Sequence, residues 1–138
     1  MTPDADLEPR RVAVRGPGGD AEWTLVPSRP RGQWSMELVA PDRTFTGDGI
    51  TCFAALRDLR RQLDDQGLLI GVNGARPNCT VSGMLVDMGD GRSVYALEIG
   101  AQGRPPTLRT LGPAPLDDVG TVVQQDAFKE RWLTDRRK

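Results

Sequence analysis

The chain has no histidine, only two lysines and only two cysteines among its 138 residues. The absence of histidine excludes a Ser-His-Asp or Cys-His catalytic arrangement and any histidine metal ligand. Lys129 and Lys138 both lie near the C-terminus, which argues against a Schiff-base lysine. Cys52 and Cys79 without a histidine partner argue against a structural zinc site. We therefore expect no catalytic residue, no metal and no cofactor, and any enzymatic chemistry would have to use carboxylates, tyrosine or a bound cofactor.

The chain also lacks an excess of positive charge and a long apolar run. Its 18 basic and 19 acidic residues give a net charge of -1. A nucleic-acid-binding protein usually carries a basic excess or stripe, so we expect no nucleic-acid partner. The first residues, MTPDADLEPRR, are polar, so we expect no secretory signal and no membrane span. Two isolated thiols then favour a reduced, cytoplasmic protein, and a disulfide between them is the less favoured alternative.

The N-terminal third alternates with a period of two. Residues 1–9 contain two prolines and no apolar periodicity, and we expect a flexible arm there. The segments RRVAVRG, AEWTLVP and QWSMELVA each place apolar residues on one side, and a shorter strand is expected around Phe45. Glycines and prolines separate these segments. The pattern predicts a meander of three or four antiparallel strands.

Two segments show helical periodicity instead. In ITCFAALRDLRRQLDDQ, residues 50–66, apolar residues recur at steps of three and four. Asp48 is the expected N-cap and Gly67 the expected stop, while the basic group Arg57, Arg60 and Arg61 is expected on a solvated face. In TVVQQDAFKERWL, Thr121 and Gln124 match a capping box, and Phe128 and Trp132 are one turn apart. Both segments are predicted to be amphipathic helices.

The stretch NGARPNCTVSGMLVDMGDG, residues 73–91, follows the apolar run LLIGV, which reads as a central strand covered on both faces. With Asp90 and Gly91 as turn residues, MLVDM and SVYALEI would form a hairpin that pairs Val86 with Tyr95. TLRTL is expected to form a short edge strand. The sequence thus predicts one α+β domain over residues 10–138, with a mostly antiparallel sheet and two amphipathic helices.

Polar residues collect where the predicted central strand ends. Asn73, Arg76, Asn78 and Ser82 lie in NGARPNCTVSG, and Arg76 could hold an anion through its planar fork while Asn73 and Ser82 orient it. The alternative is structural, with the asparagines serving turns and Arg76 pairing with a nearby acid. Asp87 on the predicted solvent face and Asp90 in the predicted turn complete the candidate binding residues.

Four segments resemble a family of small bacterial proteins: FAALRDLRRQL, LLIGVNGARPNCTVSGM, DMGDGRSVYALEIG and VGTVVQQDAFKERWL. Some members of this family resemble immunity proteins of contact-dependent or other polymorphic toxin systems. The resemblance covers roughly residues 50–135 and implies a bacterial, cytoplasmic partner of a toxin. It implies no catalytic residue.

Three functions follow as hypotheses. The first is a non-enzymatic binding protein, an immunity protein that neutralises a cognate protein toxin through its acids, which are Asp48, Asp58, Asp64, Asp65, Asp87 and Asp90. The second is a small-ligand-binding domain or enzyme with an anion pocket around Asn73, Arg76 and Ser82. The third is a homodimer without a ligand, in which Trp23 or Trp34 lines the interface.

Overall fold

The computed structural model describes residues 4–81 and 89–136 and shows a single α+β domain with two antiparallel sheets. The first sheet has the strand order β4-β3-β2-β1-β5 and the second the order β6-β7-β8. The strands are β1 (Arg10–Gly16), β2 (Gly19–Ser28), β3 (Trp34–Val39), β4 (Thr44–Gly49), β5 (Leu69–Ile70), β6 (Cys79–Thr80), β7 (Ser93–Ala96) and β8 (Thr107–Arg109). The two α-helices in the described residues are α1 (Cys52–Asp65) and α2 (Val122–Arg136). The predicted fold class is confirmed.

The N-terminal meander forms as its alternation predicts. Leu25 lies opposite Leu38, and Leu38 lies opposite Phe45, so one face of the first sheet is apolar. Residues at the intervening positions, such as Glu37 and Val39, are exposed on the other face. An antiparallel sheet with one buried face shows this pattern. The first sheet therefore has a core face and an open face.

Helix α1 covers the core face, and two glycines allow it to lie close. A Cβ atom added to Gly47 would come within 2.3 Å of the Leu59 backbone nitrogen, and one added to Gly49 within 2.5 Å of that of Ala55. The buried leucines of α1 pack against a fully buried Trp34. Burial of side chains of this size contributes about 2 kcal/mol each, which makes this layer the main source of stability.

The ends of α1 differ in part from the sequence prediction. The N-cap is Thr51, whose hydroxyl accepts from the Ala54 N–H at 3.0 Å. The predicted cap, Asp48, lies in β4, where its N–H donates to the Asp58 carboxylate at 3.0 Å. Gly67 ends the helix as predicted, with a φ of 70°. The Asp58 carboxylate thus satisfies one backbone donor of an edge strand, which hinders further strand addition there.

The LLIGV segment is not a central strand. It supplies the two-residue β5, which lies at the edge of the first sheet. Its burial comes from a later segment, because Ala114 N–H donates to Gly71 O at 3.0 Å and Val72 bridges to Pro113. The loop around Pro113 therefore covers this edge of the sheet. This burial explains why the LLIGV segment is apolar throughout.

The structure describes the second strand and the turn of the predicted hairpin. Strand β7 uses both edges, since Tyr95 lies opposite Thr80 on one side and Thr107 on the other. The predicted partner of Tyr95, Val86, belongs to residues 82–88, which lie outside the described residues. The turn itself is tight, and Asp90 and Gly91 have φ values of 56° and 73°. The predicted edge strand is confirmed as β8.

Residues 4–9, which belong to the expected flexible arm, are packed against the body of the protein. A single 3-10 turn, Ala5–Leu7, is capped by the Asp4 carboxylate. Asp6 is buried, and Leu7 packs against the main core. The Arg10 guanidinium donates to Ala5 O at 2.6 Å. Ion pairs described below hold this segment, and they join residues too far apart in sequence for periodicity to predict.

Candidate functional site

Asn73 and Arg76 form a polar joint between β5, β8 and the loop before α2. Asn73 is 8% exposed, and its side-chain amide donates to Arg109 O at 3.1 Å. Its amide oxygen accepts from Arg76 Nε at 3.1 Å. A second nitrogen of Arg76 lies 3.6 Å from the Asp118 carboxylate. The asparagine and the arginine predicted to hold an anion are thus engaged with the protein's own groups.

Asn78 has different partners. Its side-chain amide donates to Leu97 O at 3.2 Å, and its backbone carbonyl accepts from the Leu97 N–H at 2.7 Å. This double contact continues the pairing of β6 with β7 by one residue. The role of Asn78 in the fold is therefore to extend a short sheet.

Asp90 belongs to a third group, around Trp34. The indole N–H of Trp34 donates to the Asp90 carboxylate at 2.7 Å, and Arg29 lies 2.7 Å from the same oxygen. The guanidinium of Arg92 lies 4.8 Å from the Trp34 ring centroid, which suits a cation–π contact. A buried indole needs such an acceptor for its N–H. The remaining predicted residues, Ser82 and Asp87, lie outside the described residues.

An ion-pair network beside Trp34 was missed by the sequence analysis. Arg92 contacts the Asp4 carboxylate at 2.7 Å and the Asp6 carboxylate at 3.1 Å, and Arg109 also pairs with Asp6. Hydrogen bonding from Arg92 lowers the pKa of Asp4 below its ordinary value, and the same contact raises the pKa of Arg92. The network fastens the N-terminal segment to the second sheet. No sequence signal could have found it, because 88 positions separate Asp4 from Arg92.

A second polar joint, around Arg60 and Gln125, is almost fully buried. Both residues are 1% exposed, so the predicted solvated position of Arg60 is wrong. Arg60 donates to Gly74 O at 3.1 Å, to Gly120 O at 2.9 Å and to Gln125 Oε1 at 2.9 Å. Burial lowers the pKa of Arg60 to about 10. Its spacing from Leu56 and Leu63 places it on the apolar stripe of α1, and that signal could have identified it.

Gln125 links three parts of the chain at this joint. Its amide nitrogen lies within hydrogen-bonding distance of Gly74 O at 2.9 Å, Arg76 O at 2.9 Å and Cys79 O at 2.8 Å. Its oxygen accepts from Arg57 and Arg60. The joint anchors the first turn of α2 to α1 and to the segment before β6.

The surroundings of both thiols indicate a structural role. Cys52 and Cys79 are free and fully buried. Burial raises the pKa of Cys52 to about 12 and that of Cys79 to about 11. Reactive cysteines have depressed pKa values and partial exposure, so these two have the opposite character. Cys52 packs as a small hydrophobic residue, as expected.

A cleft of about 400 Å³ runs between α2 and the loop of residues 98–106. We call it the α2 cleft. Its walls include Asn78, Leu97, Arg104, Pro106, Trp132 and Arg136. Its volume lies within the range of ligand pockets in proteins. Of the predicted site residues that the structure describes, only Asn78 contributes to it.

No family model and no curated protein matches the chain. Among residues 4–81 and 89–136, neither α1 nor α2 has the length and apolar character needed to cross a membrane. Across the same residues, no three carboxylate or thiol side chains converge on a point that could hold a metal ion.

Proposed function

We propose that this protein is a non-enzymatic binding protein, and specifically an immunity protein that neutralises a cognate bacterial toxin in the cytoplasm by direct binding. The observation that carries the proposal is the engagement of Asn73 and Arg76 in the fold. A bidentate anion clamp needs a free guanidinium edge. Arg76 instead contacts Asn73 on one side and Asp118 on the other. This geometry weakens the anion-pocket alternative.

The exposed surface of α2 also supports recognition of a protein. Only Val122 and Gln125 of this 15-residue helix are buried, and Val123 is 75% exposed. The buried joint around Gln125 fixes the direction of the helix. A rigidly anchored helix with partly exposed aromatic residues is a common recognition element.

The immunity role itself comes from the resemblance of residues 50–135 to immunity proteins. The set of acids expected to face a basic toxin is reduced by the structure. Asp58 accepts from a backbone N–H of β4, Asp64 accepts from the Val122 N–H at 2.9 Å, and Asp90 is paired with Arg29. Asp48 and Asp65 remain exposed. An acidic patch is therefore a weaker basis for partner recognition than the sequence suggested.

The test is co-expression in a bacterial host with the product of the adjacent gene. We expect the protein to restore growth and to co-purify with that product as a complex. Persistent toxicity in the presence of soluble, folded protein, with no complex on size exclusion, would reject the proposal. Sedimentation of the isolated protein at several concentrations addresses the homodimer alternative in the same preparation.

A thermal-shift screen with phosphorylated metabolites and carboxylates tests the ligand alternative. A shift that disappears in Arg76→Ala would support an anion pocket. The proposed function predicts no shift that depends on Arg76.

A further inference from the structure

The α2 cleft is preformed, because its two walls are tied together. The backbone N–H of Gly100 donates to the Asp135 carboxylate at 3.1 Å. Arg136 in turn donates to Ala101 O at 3.3 Å. These contacts join the loop to the last turns of α2 from both directions. A cleft held in this way loses little conformational entropy when it is filled.

The floor of the cleft is equally fixed. It is formed where Asn78 and Leu97 exchange two hydrogen bonds, and the adjacent Ala96 N–H donates to Pro106 O at 2.9 Å. Pro105 and Pro106 have no backbone N–H to offer a ligand. The proline part of the loop wall can therefore contact a ligand only through side-chain atoms and carbonyl oxygens.

The charged groups of the cleft are mainly positive. In the part of the chain that the structure describes, Arg104 and Arg136 line it together with a single acid, Glu98. Arg104 is exposed and makes no hydrogen bond or ion pair with residues 4–81 or 89–136. The guanidinium of Arg136 lies 4.8 Å from the ring centroid of Trp132, so an aromatic surface and a cation lie side by side.

We propose that the α2 cleft binds an acidic segment of the partner protein. Carboxylates of that segment pair with Arg104 and Arg136, and an apolar side chain between them packs against Trp132 and Leu97. Guanidinium groups are suited to carboxylates, and aromatic residues beside arginine are typical of binding hot spots. Two cations are too few for a nucleic-acid backbone, which requires many phosphate contacts. The inference rests on the proposed function and names the partner's contacting chemistry.

The cleft is tested without the partner by titrating the full ¹⁵N-labelled chain with an acetylated and amidated Glu-Phe-Glu tripeptide. We expect saturable NMR shifts at the Trp132 indole and the Arg104 amide, with a Kd in the range of about 1 mM. The double variant Arg104→Glu/Arg136→Glu should weaken binding at least about tenfold, because like charges then face each other. Arg61→Glu is the matched control. Arg61 is exposed on α1, lies outside the cleft, and should leave binding unchanged.

Two results would overturn the proposal. One is the absence of shifts at a peptide concentration of about 10 mM, which corresponds to negligible affinity. The other is an equal response to a Lys-Phe-Lys tripeptide, which would show that charge plays no part.

The co-expression assay separates this inference from the proposed function. If the wild-type protein restores growth and the double variant restores it equally well, the cleft is not the contact surface, but the immunity role stands. If the wild-type protein fails, the immunity role falls, and the peptide titration alone then decides whether the cleft binds acidic segments.

Discussion

Replacement of Gln125 by leucine tests the buried joint that fixes α2. The change keeps the side-chain volume nearly constant and removes only polar contacts. Arg60 loses an acceptor at 2.9 Å but retains Gly74 O and Gly120 O. Cys79 O loses a donor at 2.8 Å, while Arg76 O retains the Cys79 N–H. Arg57 also loses the Gln125 side-chain oxygen as an acceptor at 3.0 Å and keeps its ion pair with Asp126. Two charge-assisted hydrogen bonds and one buried carbonyl contact are therefore lost.

The expected loss in free energy of unfolding is about 3 kcal/mol, from about 1 kcal/mol for each of these three contacts. With a urea dependence of about 2 kcal/mol per M, the midpoint should fall by about 1.5 M with an unchanged slope. Gln102→Leu makes the same chemical change in an exposed loop and should shift the midpoint by less than about 0.3 M, since exposed sites tolerate substitution. Equal midpoints for the two variants would refute the view that Gln125 anchors α2.

Three further outcomes are expected from the same structure. Gly47→Ala should lower the free energy of unfolding by about 3 kcal/mol, because the new methyl group meets the backbone of α1 at 2.3 Å, whereas Gly18→Ala, with open space around it, should be near neutral in urea unfolding. Cys52 and Cys79 should resist a thiol reagent at pH 8 and react fully in denaturant, since burial raises both pKa values; rapid labelling of the native protein would contradict this. The pKa of Asp4 is lowered in the folded state, so its contribution to stability is complete above about pH 4 and is lost as the pH falls further. Asp4→Asn should therefore flatten the pH dependence of the urea midpoint in that range, and an unchanged profile would speak against the ion pair.

Local periodicity was sufficient to predict the meander and both helices. Alternation in QWSMELVA gave the face of β3, and the leucine spacing gave the buried face of α1, because each pattern reports a neighbour within a few residues. The capping box of α2 is present as predicted, with the Thr121 hydroxyl accepting from the Gln124 N–H at 3.1 Å. These features depend on short-range contacts, which a sequence displays directly.

The sequence predictions failed where contacts between segments distant in the chain determine the structure. The apolar run of β5 is buried by residues near Pro113, so it resembles a central strand while lying at an edge. The alternation of β7 fits any strand partner, and its actual partners are the short β6 and β8. The φ values at Asp90 and Gly91 followed from residue type, but the pairing did not.

In the candidate site, too, the sequence predicts short-range contacts but not contacts between distant segments. The residue types in NGARPNCTVSG correctly marked a polar region, and Asn73 does contact Arg76. Their other partners, Arg109 and Asp118, lie more than thirty positions away, and only the fold reveals that they occupy the groups proposed to bind an anion. The α2 cleft was missed because its walls come from three separate segments.

Recognition of the partner through the α2 cleft is tested most directly by growth protection. Arg76→Ala and the double variant Arg104→Glu/Arg136→Glu are each co-expressed with the product of the adjacent gene, at matched levels of folded protein. If the protein acts by surface recognition through α2, Arg76→Ala protects as well as the wild type and the double variant fails. Loss of protection in folded Arg76→Ala, with full protection by the double variant, would contradict the account.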